Sequence, residues 1–89
     1  MPRYEIEFRP PAYRAFAKLD PIIKRRLAPA LNALREDPRP QGAKRLKGAG
    51  DVWRIRVGAY RVVYVIEDDR LVVVVVRIGP RGSVYRRRD

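Results

Sequence analysis

An 89-residue chain has room for one hydrophobic core, and its 46% apolar residues suffice to build one, so a second domain and wholesale disorder are both excluded. It holds no cysteine and no histidine, which rules out disulfides and thiolate metal sites and removes the commonest acid/base side chain and metal ligand together. Lys and Arg outnumber Asp and Glu by 21 to 10, a net charge of +11, so the expected partner is a polyanion: nucleic acid first, then an acidic protein, then an anionic membrane. Seventeen of the 21 cations are arginine, a usage that free placement of Arg on solvated faces can also produce. The first residues carry charges throughout and form no apolar signal core. The longest apolar run, residues 71–76, falls far short of the about 20 residues that cross a bilayer. A cytoplasmic protein without a membrane segment is expected.

Tyr4, Ile6 and Phe8 alternate with charged residues, as in a half-buried strand. Pro10-Pro11 stops it and opens a helix that runs to about Lys18, since proline suits a first helical turn. Asp20-Pro21 pairs an N-cap with proline at the first helical position. Ile23, Leu27, Ala30, Leu31 and Leu34 then form an apolar stripe that Asp37-Pro38 closes. Pro29 falls inside this stripe and is expected to kink or split the helix. Residues 39–50 hold Pro40, glycines and the cations Lys44, Arg45 and Lys47, and read as a basic loop. In residues 52–57, Trp53, Ile55 and Val57 share one face of a strand, and Val52, Arg54 and Arg56 share the other. Gly58-Ala59 connects tightly to a strand over 60–66, and Asp68-Asp69 turns the chain into 71–78. That run is apolar on both faces, as a central strand would be. Gly79, Pro80 and Gly82 end it before a basic tail, residues 84–89.

The order β-α-α-β-β-β predicts a single α+β domain over 1–89. A helical hairpin should pack on one face of a mainly antiparallel four-stranded sheet. The other face is then the functional candidate, because Arg54 and Arg56 point there and Arg61 can join them.

At Trp53–Tyr64 (WRIRVGAYRVVY) the chain resembles the RelE/ParE toxin superfamily. The matching features are the first strand, the helical hairpin, the RLKG turn at Arg45–Gly48, this strand pair, the hydrophobic strand and IGPRGSVY at Ile78–Tyr85. They cover nearly the whole chain in order. The resemblance implies a RelE-like fold and the toxin of a type II toxin–antitoxin system. RelE-like members cut mRNA in the ribosomal A site, whereas ParE-like members poison DNA gyrase and generally lack the terminal Arg and Tyr. Arg81 and Tyr85 stand where the RelE pattern has that pair, and Arg54, Arg56 and Arg61 match its other basic positions. The resemblance therefore implies a ribosome-dependent endoribonuclease, with ParE-type gyrase inhibition without nuclease activity as the alternative. Two departures are that RelE has lysines at the positions of Arg54 and Arg56, and that many relatives have histidine where this chain has Pro80.

Cutting RNA without a metal or other cofactor requires the 2′-OH to attack the adjacent phosphate. It must be aligned, the phosphorane charge neutralised and protons moved at both ends. Arginine suits the second task, since its planar fork matches phosphate oxygens and keeps its charge. Arg54, Arg61 and Arg81 are expected to clamp the phosphate and Arg56 to orient the RNA. Tyr85 either stacks on a base or accepts the 2′-OH proton. Lys44, Arg45, Lys47, Arg86 and Arg87 are candidates for nonspecific contacts to RNA or the ribosome. Each has a plainer reading: Arg54 and Arg56 as a solvated sheet face, Arg61 as an ion-pair partner of Asp51 or Glu67, and Arg86–Arg88 as tail charges. Trp53, Tyr60 and Tyr64 read as core. A plain nucleic-acid-binding module and an inactive toxin relic also remain open. The implied partners are an acidic RelB-like antitoxin, the ribosome and mRNA, with operator DNA reached only through the antitoxin complex.

Overall fold

The computed structural model describes residues 3–48 and 50–80. In chain order these form β1 (Glu5–Phe8), α1 (Pro10–Ala17), α2 (Pro21–Ala33), β2 (Lys44–Arg45), β3 (Val52–Val57), β4 (Tyr60–Glu67) and β5 (Val72–Pro80). The strands lie in one sheet in the order β1-β5-β4-β3-β2. The β1–β5 pairing is parallel and the other three are antiparallel, so the sheet is mainly antiparallel as expected. It has five strands rather than four. The extra one is the two-residue β2, which the basic segment 39–50 contributes at the edge beside β3.

Local chemistry sets the helix starts. Pro10 and Pro21 occupy first-turn positions, and the Asp20 carboxylate accepts the Ile22 backbone N–H at 3.0 Å. α2 runs unbroken from Pro21 to Ala33 with Pro29 inside it, so the expected split does not occur. Pro29 sits on the exposed side, and Leu27 and Leu31 bury the opposite stripe whatever backbone bond it forfeits.

That stripe, with Ala12 and Leu34, packs against Ile55, Val62, Tyr64, Ile66, Val73, Val75 and Ile78 of the sheet. Trp53, Val57 and Tyr60 pack against the same core, as their alternation indicated. Tyr64 is fully buried, and its hydroxyl donates to the Pro38 carbonyl at 2.7 Å. Burial pushes its pKa well above the ordinary tyrosine value. The hydrogen bond satisfies a polar group that would otherwise cost about 1–3 kcal/mol to bury. It also ties the segment after α2 to the middle of the sheet. Among the described residues no helix is long and apolar enough to cross a membrane.

Candidate nucleic-acid interface

Residues directly opposite each other on neighbouring strands share a face, so the register states which side chains meet on the side away from the helices. Arg56 is opposite Arg61 across β3 and β4. One step along, Lys44, Arg54, Val63 and Arg77 form a row across β2, β3, β4 and β5. Five cations thus gather at one end of the open face. Two pairs of them, Arg56 with Arg61 and Lys44 with Arg54, are in direct cross-strand opposition. Like charges so placed are destabilising, by about 0.2–1 kcal/mol if they mirror the gain of an opposite-charge pair. Among the described residues no ion pair joins Lys44, Arg54, Arg56 or Arg77 to a carboxylate.

Arg77 reaches this face through a β-bulge. In simple alternation it would follow Val73 and Val75 into the core. The β4–β5 register shifts between Val63 and Tyr64, so that Val63 is opposite Arg77, Tyr64 is opposite Val75, and Val76 is left over. A bulge of this kind re-aims the residues beyond it. Here it turns Arg77 outward and puts Ile78 into the core.

Among the described residues, no strand lies beside the edge of β3 beyond Arg54, because β2 pairs only with Trp53 and Arg54. A groove of about 480 Å³ opens there, lined by Ala30 and Ala33 of α2, Pro40 and Gln41 of the connecting loop, and Arg54 and Arg56. The cation cluster therefore borders a concave surface.

The acidic groups lie at the opposite end of the same strands. Arg70 pairs with Glu67 and lies 3.6 Å from Glu7, beside a hollow of about 380 Å³ that also exposes Val65, Val74 and Val76. At the rim of the sheet, Arg39 bridges Asp51 and Asp68, with 2.8 Å to the latter, and stacks 5.7 Å from the centre of the Trp53 ring. The Trp53 indole N–H donates to Asp51 at 2.6 Å, and the Tyr4 hydroxyl donates to Asp68 at 2.5 Å. Desolvation pushes the Asp51 carboxyl up, but the Trp53 N–H and the Arg39 guanidinium outweigh it and hold its pKa below the ordinary carboxylate value. The Arg39 hydrogen bond, then that of Tyr4, does the same for Asp68.

Of the residues singled out from the sequence, Arg54, Arg56 and Arg61 come together on the open face, and Lys44 joins them. Asp51 and Glu67 are engaged by Arg39, Arg45 and Arg70. Arg45 does not join the cluster. It is opposite Trp53 on the other face, 3.7 Å from Asp51 and 3.5 Å from the Gly50 carbonyl. Lys47 lies past the end of β2, beside a shallow hollow it lines with Arg45 and Gly48. Arg81, Tyr85, Arg86 and Arg87 lie outside the described residues. Arg77 was missed, because its place depends on a bulge that only the β4 register reveals.

A family model described as ParE toxin of type II toxin-antitoxin system, parDE, matches residues 6–85. A putative RelE-like toxin protein of Escherichia coli is 35% identical over 87 residues, covering 93% of this chain and 90% of the relative. The mRNA interferase toxin RelE of E. coli K12 is 31% identical over 86 residues, covering 92% and 90%. A chain of the crystal structure of the archaeal RelE–RelB complex from Pyrococcus horikoshii OT3 superposes with a TM-score of 0.80 at 27% identity, covering 90% of this chain and 97% of that one. Family model, sequence relatives and superposed fold agree, and the chain belongs to the RelE/ParE superfamily of toxins from type II toxin–antitoxin systems.

Proposed function

We propose that this toxin is a ribosome-dependent endoribonuclease that cuts mRNA in the A site in the cytoplasm. The observation that carries this reading is the two pairs of like-charged residues set opposite each other across the strands, Arg56 with Arg61 and Lys44 with Arg54, on a face without carboxylate partners for Lys44, Arg54 and Arg56 among the described residues. A phosphate chain would relieve the repulsion that the free fold tolerates. The relative named mRNA interferase supports the same reading.

The chemistry assigned to the site is metal-independent. The substrate 2′-OH attacks the adjacent phosphorus and loses its proton, the P–O5′ bond breaks, and the leaving O5′ takes up a proton from solvent. The products are a 2′,3′-cyclic phosphate and a 5′-OH. Arg54 and Arg61 neutralise the phosphorane oxygens with Arg81, and Arg56 orients the strand. Arginine resists deprotonation, so the proton acceptor must be another group. Tyr85 is the candidate on this chain, and the ribosome supplies the bend of the codon.

An acidic RelB-like antitoxin is the proposed inhibitor, and operator DNA is reached only through that complex. RelE–RelB complexes in the solved structures support an antitoxin partner. The name of the family model favours one second reading, a ParE-type inhibitor of gyrase without nuclease activity.

Ribosomes programmed with a defined mRNA decide between them, with cut sites mapped by primer extension. Naked RNA and an Arg81→Ala variant serve as controls. Cleavage within the A-site codon that is lost in both controls is the expected result. No cleavage in any sample, with inhibited supercoiling by gyrase, overturns the nuclease reading.

A further inference from the structure

The row Lys44–Arg54–Val63–Arg77 crosses four strands at right angles to their direction. With neighbouring strands about 4.8 Å apart, its ends stand about 14 Å from each other, and Arg77 is about 10 Å from Arg54. That span is wide enough for the two arginines, extended side by side, to engage neighbouring phosphates of one strand. Arg77 is exposed and, like Lys44 and Arg54, has no carboxylate partner among the described residues.

The fold also gives up regularity to put it there. The bulge leaves Val76 without a register partner and redirects the last third of β5. Beyond Arg77 the row ends, because the next strand, β1, reaches only Val75 along β5. Among the described residues Arg77 therefore closes the cationic track on the β5 side as Lys44 closes it on the β2 side.

We propose that Arg77 is a further RNA-contacting residue. It grips a phosphate that flanks the one held by Arg54 and Arg61, so that the substrate strand runs across the sheet from the β2 edge to β5. The proposal deepens the reading above and rests on it for the identity of the strand as substrate RNA. It makes Arg77 a binding and positioning residue, not one that touches the reacting atoms.

The test uses the full chain and a labelled 12-nucleotide RNA with 2′-O-methyl groups, which offers phosphates but no 2′-OH nucleophile. Affinity is followed by anisotropy across a NaCl series for the wild type, Arg77→Ala, Arg77→Lys and Arg70→Ala. Each variant is checked by thermal unfolding. Arg77→Ala is expected to bind about tenfold more weakly. The slope of log K against log salt should shrink by about 0.7, the value for one phosphate contact on a single strand. Arg77→Lys should keep the slope, and Arg70→Ala, at the acid-paired end, should match the wild type.

A second arm measures cleavage on programmed ribosomes. There Arg77→Ala should raise the toxin concentration needed for half-maximal rate about tenfold and change the limiting rate by less than about twofold. An unchanged salt slope in a folded Arg77→Ala protein overturns the proposal, whatever the ribosome arm shows. A reduced slope in a protein that cuts no ribosome-bound mRNA keeps Arg77 as an RNA contact and sinks the nuclease reading alone.

Discussion

The two ends of the sheet are built from the same strands on opposite electrostatic plans. At one end Arg70 sits with Glu67 and Glu7, while Arg39 holds Asp51 and Asp68 around the Trp53 ring. Every arginine there has a carboxylate. At the other end Arg56 confronts Arg61, and Lys44 confronts Arg54. Only the first plan helps the isolated chain to fold. The second gives up stability, and such a loss is ordinarily tolerated where a ligand of opposite charge restores it. On the proposed reading, a toxin that seizes RNA and is silenced by an acidic antitoxin would have use for both plans at once.

Removing one guanidinium from the cationic end should have the largest effect. Arg54→Gln should lower the rate of ribosome-dependent cleavage about 10²-fold, the usual effect of deleting one donor to a developing oxyanion. Its melting temperature should not fall. Single-turnover cleavage and a thermal melt on the same preparation check both halves.

The paired end should respond the opposite way, in stability and not in chemistry. Tyr64→Phe removes the only hydroxyl that reaches the Pro38 carbonyl from β4 and leaves that acceptor buried. Urea unfolding should show a loss of about 1–3 kcal/mol, with cleavage by the folded fraction retained.

Acid should likewise act on the paired end first. Asp51 and Asp68 have folded-state pKa values below the unfolded value, so their contribution is complete above it and is lost as pH falls through the folded values. The melting temperature should therefore decline below about pH 4, and an Asp51→Asn/Asp68→Asn variant should start lower and decline less. Equal acid limbs for the two proteins would remove these carboxylates from the account.

Much of this architecture could be read from local pattern. The alternation of Trp53, Ile55 and Val57 with Arg54 and Arg56 names the core and open faces of β3, and Asp20-Pro21 announces α2, because period and capping are properties of a few adjacent residues. The cluster of Arg54, Arg56 and Arg61 follows from a tight turn at Gly58-Ala59, which brings 56 opposite 61. Three features resisted that approach. The strand at Lys44–Arg45 has two residues and exists only through pairing with β3. Arg39 finds Asp51 and Asp68 at 12 and 29 residues' distance along the chain. Arg77 looks like a core position by alternation and becomes a surface one only because β5 bulges against β4. Each depends on partners distant in sequence, where periodicity carries no information.

If the cationic end is held in electrostatic tension for a polyanion, thermal unfolding of a Lys44→Gln/Arg56→Gln variant beside the wild type at 0.05 and 0.5 M NaCl will reveal it. One member of each like-charged pair is then neutral. The variant should be the more stable protein at low salt, by roughly 0.2–1 kcal/mol per pair, and the gap should close at high salt as the repulsion is screened. A variant that is less stable than the wild type at both salt concentrations would contradict the account, because it would show these cations to be anchored in the fold.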